Sequence, residues 1–370
     1  MQKKIALSLL LVFVFSLFAY VPSAVAAGKT LTINKAVELA LLHSPEVQKA
    51  QNNWELAYRT EIVKKQEKES AYAWFETSQF TALPLEADYR AKKKMWEAAQ
   101  DNLSDTKVTL EQIEKKVEYQ TESLYLTILK LENQLKLIGD TVKLQTRLVQ
   151  IERVKAALGL STKLQVQQAQ GTAEATQNVC QELKDTLTTC YRNLNRFIGE
   201  EAQAPLQLCA VGFSPVKYNV QKEEGLEQAK EASLALEQFN RMLEDTKKEK
   251  RDLAPGSSDQ SLLYEAQMRQ LELNIEDLHF GIETGLQRAW EKIELTQKKL
   301  IEAKNKYEKV RLQQAYQQKE YAVGMLPEIA LAMGALELQE AGSAYEQLVY
   351  DYYLSARELA LAQQGITLGM

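Results

Sequence analysis

Between Glu86 and Ala157 the chain contains no proline and a single glycine, Gly139. With no residue that stops a helix, the span reads as one helix, and at about 1.5 Å per residue it would be on the order of 100 Å long. A helix of that length does not fit inside a globular domain and needs neighbours along its whole course. The expectation is therefore an all-α, elongated antiparallel arrangement of long helical hairpins with little or no β-structure. The composition agrees. Across 370 residues there are 15 glycines and 7 prolines, roughly half the usual share, while Gln, Glu, Lys, Leu and Ala dominate.

The spacing of apolar residues says what kind of neighbours the long helix has. Leu124, Ile128, Leu131, Leu135, Ile138, Val142 and Val149 form one seven-residue seam, and Leu137, Leu144, Leu148, Ile151 and Leu158 form a second beside it. A single seam suits a two-stranded coiled coil. Two flanking seams put the helix between two partners, either in an intramolecular four-helix bundle or in the wall of a helical tube. The polar residues Glu132, Lys136, Asp140, Lys143 and Arg147 fill the remaining face, which either lines a channel or meets solvent.

The same plan occurs twice. Ala36-Val37-Glu38-Leu39-Ala40 aligns with Gly225-Leu226-Glu227-Gln228-Ala229, which sets Ser44 on Ser233. Gly159-Leu160 aligns with Gly324-Met325, and each copy closes on a glycine, Gly199 or Gly365. Each copy reads as a medium helix, a break, a very long helix, a tight glycine turn and another medium helix. The breaks are placed at Thr77 to Pro84 and at Leu253 to Asp259, and the first copy carries extra length before its central glycine. The expected division is residues 27–215 and 216–370, with residues 1–26 as a leader.

The leader has a basic start at Lys3 and Lys4, an apolar run from Ile5 to Val21, then Pro22 and the small-x-small pattern Ala24-Val25-Ala26. That is a secretory signal, with Ala27 as the first mature residue; the alternative is an uncleaved N-terminal anchor. Either way the remaining chain lies outside the cytoplasmic membrane. Three cysteines, Cys180, Cys190 and Cys209, enter that oxidising compartment. Cys180 and Cys190 lie on one helix and cannot bridge each other, while Cys190 and Cys209 pair only if the chain folds back between them.

Leu31-Thr-Ile-Asn-Lys-Ala-Val-Glu-Leu-Ala, followed by His43-Ser-Pro-Glu-Val-Gln-Lys-Ala, resembles the start of the TolC-type outer-membrane efflux proteins. Ala157-Leu-Gly-Leu-Ser-Thr-Lys-Leu, leading to Leu194-Asn-Arg-Phe-Ile-Gly199, is similar to the same family, and Tyr321-Ala-Val-Gly-Met-Leu-Pro-Glu-Ile repeats the pattern. The resemblance covers nearly the whole mature chain and implies a homotrimer in which three protomers form a tube of twelve helices. The family's tube is topped by a β-barrel, and its lower tips meet a periplasmic adaptor joined to an inner-membrane pump. It implies a place in the cell envelope and hairpin tips at Gly159 and Gly324, flanked by Leu160, Ser161, Met325 and Pro327. At those glycines, docking of a partner and ordinary helix breaking are both compatible with the turn chemistry. One departure stands out. Spanning strands need roughly 9–11 residues each, and both breaks are too short for a pair, so the barrel is expected to be missing. An exported helical scaffold without transport activity is the alternative function.

Little else in the chain points to chemistry. A net charge of −5 gives no reason to expect nucleic acid, which wants a basic face. Glu276 and His279 make one Glu-x-x-His pair, whereas a di-iron bundle needs two such motifs and further carboxylates; a solvated helix face accounts for them. No phosphate-cradling loop or nucleophile elbow appears, so neither a cofactor nor an enzymatic activity is expected. Tyr72, Trp74, Phe75 and Phe80 either cap the bundle end or dip into a membrane surface.

Overall fold

A computed structural model describes residues 29–77, 82–213, 222–253 and 258–366; the leader and Phe80 lie outside them. Along the chain run β1 (Lys29–Leu31), α1 (Ile33–His43), α2 (Pro45–Thr77), α3 (Ala82–Ala157) and α4 (Lys163–Phe197). Then follow β2 (Leu206–Leu208), α5 (Lys222–Glu231), α6 (Leu234–Arg251), α7 (Ser258–Ala322) and α8 (Glu328–Gln363). The 76 residues of α3 correspond to a rod of about 114 Å.

The medium helix expected at the start of each half is in fact two. Ser44 adopts extended backbone between α1 and α2, and its hydroxyl accepts the Val47 N–H (3.4 Å). Ser233 does the same between α5 and α6, accepting from Leu236 N–H (3.4 Å). Serine satisfies one of the orphan donors of a helix start, which is why it sits where one helix ends and the next begins. The two serines that align in sequence thus cap equivalent helices.

Both long breaks are shorter than expected. Thr77 still belongs to α2 and Pro84 lies in the first turn of α3, where a missing N–H costs nothing. Asp259 lies in the first turn of α7, where a carboxylate suits the positive end of the helix dipole. Only residues 78–81 separate α2 from α3, and only residues 252–257 separate α6 from α7.

The helices form an open layer. Over its second half α3 lies between α4 and α8, and α7 packs along α8. Towards the other end α2 packs on α3 and α6 on α7. Polar contacts join those two pairs: Lys94 to Glu249 (2.9 Å), Gln238 to Asp105 (3.0 Å), and Arg241 to Asp105. The outer helices α4 and α7 share no packed interface among the described residues. The chain is therefore not a closed four-helix bundle, and its two edges stay open.

Short helices stack on long ones at mid-height. Gly199, just past α4, lies against the His43 ring at the end of α1, and Gly365, just past α8, lies against the Ala232 carbonyl at the end of α5. Around these joints gather two apolar cores. One centres on Leu31, Val47, Tyr125, Ile128 and Leu194, the other on Leu286, Trp290, Ile293 and Leu359. Phe213 packs against both, stacking on Tyr353 with centroids 4.0 Å apart. Strands β1 and β2 pair in parallel beside the first core, a small sheet the sequence did not suggest. The three cysteines are all free, so Cys190 and Cys209 are not bridged.

The polar face of α3 is in part an interface. Tyr191 on α4 donates to Glu132 (2.6 Å), and Arg147 makes two bonds to Glu328 on α8 (2.8 and 2.6 Å). Asp140 lies against Gln339 of α8 and Lys143, with its carboxyl held below the usual range mainly by Lys143. Lys136, Lys143 and Arg147 are exposed, whereas Glu132 and Asp140 are half-buried.

Candidate functional site

The two hairpin turns are built alike from local rules. In the first, Gly159 has φ 74, the left-handed conformation that glycine adopts without a Cβ clash. Leu160 N–H bonds the Lys155 carbonyl (2.8 Å) and Gly159 N–H the Ala156 carbonyl (3.1 Å), the paired closure of a Schellman motif. In the second, Gly324 has φ 76, Met325 N–H bonds Glu320 (2.8 Å) and Gly324 N–H bonds Tyr321 (3.0 Å). Gly199 and Gly365 end α4 and α8 the same way.

The restart of each hairpin differs. Thr162 and Gln165 form a reciprocal capping box: Thr162 N–H donates to the Gln165 side-chain oxygen (2.7 Å) and Gln165 N–H to the Thr162 hydroxyl (3.2 Å). Ser161 adds a bond to Glu152 (2.8 Å). Lys155 first, and then Ser161, hold the Glu152 carboxyl below its ordinary range. This rigid polar knot was open to a reader of the sequence, because Thr-x-x-Gln is a capping-box pattern. Pro327 starts α8 without a side-chain cap.

All six expected tip residues fall in these two turns: Gly159, Leu160 and Ser161 in one, Gly324, Met325 and Pro327 in the other. Leu160 and Met325 are 75% and 80% exposed. Leu158, Leu164 and Val323 are exposed beside them.

The two turns share one end of the molecule: Asn133 and Asp140 on α3 face Glu346 and Gln339 on α8, and Arg147 reaches Glu328, the first residue of α8. The α3–α4 turn is flanked by three cations, Arg153, Lys155 and Lys163, against the single carboxylate Glu152.

Other candidates gather into nothing comparable. Among the described residues no group of three or more His, Cys, Asp or Glu side chains could hold a metal ion, and Glu276 is exposed on α7. His43 packs over Gly199. Tyr72 and Phe75 pack on Tyr89, with centroids 5.3 and 6.4 Å apart, as a cap on that end of the layer. Trp74 is largely exposed. No helix among the described residues is long and apolar enough to cross a membrane.

The densest polar cluster lies between α3 and α8. Glu122 accepts from Tyr353 (3.0 Å) and from Arg357 (3.0 Å), and Arg357 also reaches Glu118 (3.4 Å). Burial, then Glu122, push the Tyr353 phenol upward.

No protein-family model and no curated protein sequence matches the chain. Solved structures do. A structure of CusC, described in connection with transmembrane channel formation, superposes with a TM-score of 0.63 at 14% identity, covering 90% of this chain and 91% of its own. The CmeC outer membrane channel of Campylobacter jejuni gives 0.64 at 11% identity, over 90% and 85%. The outer membrane protein VceC of Vibrio cholerae gives 0.58 at 12%, over 90% and 96%. The chain has the TolC-type outer-membrane channel fold. Within the TolC-type fold, Gly159 and Gly324 mark the turns of the two long hairpins. What this chain lacks is room for a barrel, since four and six residues stand where two pairs of spanning strands would need roughly twenty each.

Proposed function

We propose that the protein is a TolC-like component of the cell envelope, serving efflux or secretion as a passive helical conduit. In this reading the tips around Leu160 and Met325 are the docking element for a periplasmic adaptor and, through it, an inner-membrane pump. The observation that carries it is the open layer. One edge, α2 with α4, leaves Leu56, Val63 and Val179 exposed; the other, α7, leaves Phe280, Leu295, Leu312 and Tyr316 exposed. An edge of that kind calls for a partner, and a second copy of the same chain offers the opposite edge in a heterologous contact that closes into a ring. Three copies would complete a tube of the kind the fold is used for. No bond chemistry is needed; the wall only has to exclude lipid and guide diffusion.

Light scattering of the purified mature protein tests this. A stable trimer is expected. A strict monomer at high concentration would sink the tube and leave the exported scaffold, which the short gaps at 78–81 and 252–257 would then favour. Docking is tested separately: Leu160→Asp with Met325→Asp should abolish export-dependent resistance while the trimer persists.

A further inference from the structure

A belt of ion pairs crosses the whole layer near the α2–α3 turn. Glu67 of α2 meets Lys92 of α3 (3.7 Å), Lys94 of α3 meets Glu249 of α6 (2.9 Å), and Lys250 of α6 meets Glu265 of α7 (2.7 Å). The belt sets the level of one edge against the other: Glu67 on α2 and Glu265 on α7 stand at about one height. The two edge helices run in opposite senses, since α2 ends at Thr77 and α7 begins at Ser258 at the same end of the layer.

Each edge carries an exposed apolar stripe in this region. On α2 it is Leu56, Val63 and Trp74; on α7 it is Phe280, Leu273 and Leu262. Both stripes step by seven and then by eleven residues, about two and three helical turns, so each lies along one face. Leu273 sits about 140° round the helix from Met268, which lines a groove with Lys247 and Lys250 of α6. The α7 stripe therefore turns away from the chain's own neighbour. The steps run in opposite directions along the chain, as two antiparallel helices need in order to meet rung for rung. Val63 lies four residues from the belt and Leu273 eight, a difference of about 6 Å. Helices packed roughly 10 Å apart and inclined by about 10° to a common axis climb that much over four spacings.

We infer that α2 of one copy packs antiparallel on α7 of the next through the rungs Leu56–Phe280, Val63–Leu273 and Trp74–Leu262. Charge agrees with that register. Arg59, paired with Glu55 in its own helix, falls opposite the next copy's Asp277, and Lys65 falls within one residue of Glu272; all four charges are exposed. This seam rests on the proposed ring and adds what holds its far end. The four and six residues between the long helices leave no room for spanning strands to join the copies there, and the apolar rungs do so instead.

Cysteine cross-linking tests the register, with Cys180, Cys190 and Cys209 replaced by alanine so that only introduced thiols react. Val63→Cys with Leu273→Cys should give covalent dimers and trimers on mild oxidation. Val63→Cys with Leu262→Cys, about 16 Å out of register and beyond the reach of a disulfide, should give none. All three positions are exposed, and circular dichroism checks that each variant keeps its helices. A trimer in light scattering that fails to cross-link through 63 and 273, or that cross-links through 63 and 262, would overturn the register and leave the ring standing. A monomer would overturn the ring, and the seam with it. Charge exchange reads the same register without thiols: Arg59→Asp should weaken association about fivefold, and adding Asp277→Arg should restore it. A double variant no better than the single would also overturn the register.

Discussion

Gly159 and Gly199 have nearly the same backbone, φ 74 and 76, but different surroundings. A Cβ at position 159 meets nothing within 4 Å, whereas one at position 199 would lie 2.4 Å from the His43 ring. Gly159→Ala should therefore cost about 1–2 kcal/mol, the strain of the left-handed conformation alone. Gly199→Ala adds a close contact with the exposed His43 ring, which has to turn aside, for about 2–3 kcal/mol in all. Thermal unfolding of the two variants should show the second clearly below the first. Tyr125→Phe is expected to cost about 1–2 kcal/mol. Its loss falls mainly on the Cys209 carbonyl, because Leu31 keeps the Cys209 amide.

Among the elements, the α3–α8 contact decides how the halves hold together, and its polar groups are not equal. Glu122 is nearly buried and depends on Arg357 and Tyr353. Arg357→Leu leaves that carboxylate with a single side-chain donor and should cost about 1–3 kcal/mol by chemical denaturation. Arg147 and Glu328 are exposed, so Arg147→Ala should cost less than about 1 kcal/mol. The same contact shows how far the sequence could be read. Two apolar seams on α3 were legible because burial imposes a period, and α3 does lie between two helices; Leu158, the last residue of the second seam, falls past the helix end and is exposed. Glu132 and Asp140 read only as members of a polar face, and their partners on neighbouring helices were not legible, because periodicity records polarity and cannot tell water from a polar group on the next helix. Ser44 and Ser233 were aligned correctly, but their capping role was invisible without knowing that the backbone turns there. Pro84 and Asp259 were taken as parts of breaks because both are as much at home in a first helical turn as in a loop. At the tips the glycines and the Thr162–Gln165 pattern stand in the sequence; the register of α3 against α8, set by Asn133 with Glu346 and Asp140 with Gln339, does not, because no local pattern encodes it.

For the whole molecule, alkaline pH is a direct probe. Burial pushes the phenols of Tyr119 and Tyr125 up to about 12. Tyr191, Tyr350 and Tyr353 are also raised, by burial first and then by a neighbouring carboxylate. In the unfolded chain these phenols lose their protons near pH 10. Their contribution is thus fully present below pH 10 and is lost as pH rises towards 12 and beyond. Far-ultraviolet circular dichroism and tyrosinate absorbance should change together in that window; titration near pH 10 with helicity intact would mean the rings are not buried. Assembly is probed at the α7 edge. Phe280→Glu with Leu295→Glu should turn a trimer into monomers in light scattering, with little change in the unfolding of the single chain.

The two turns differ in make-up, and that bears on symmetry. In a ring of three copies the rim would present two kinds of turn in alternation, one closed by the Thr162–Gln165 capping box and one restarted at Pro327. A mating surface that engages all six turns would need two different kinds of socket.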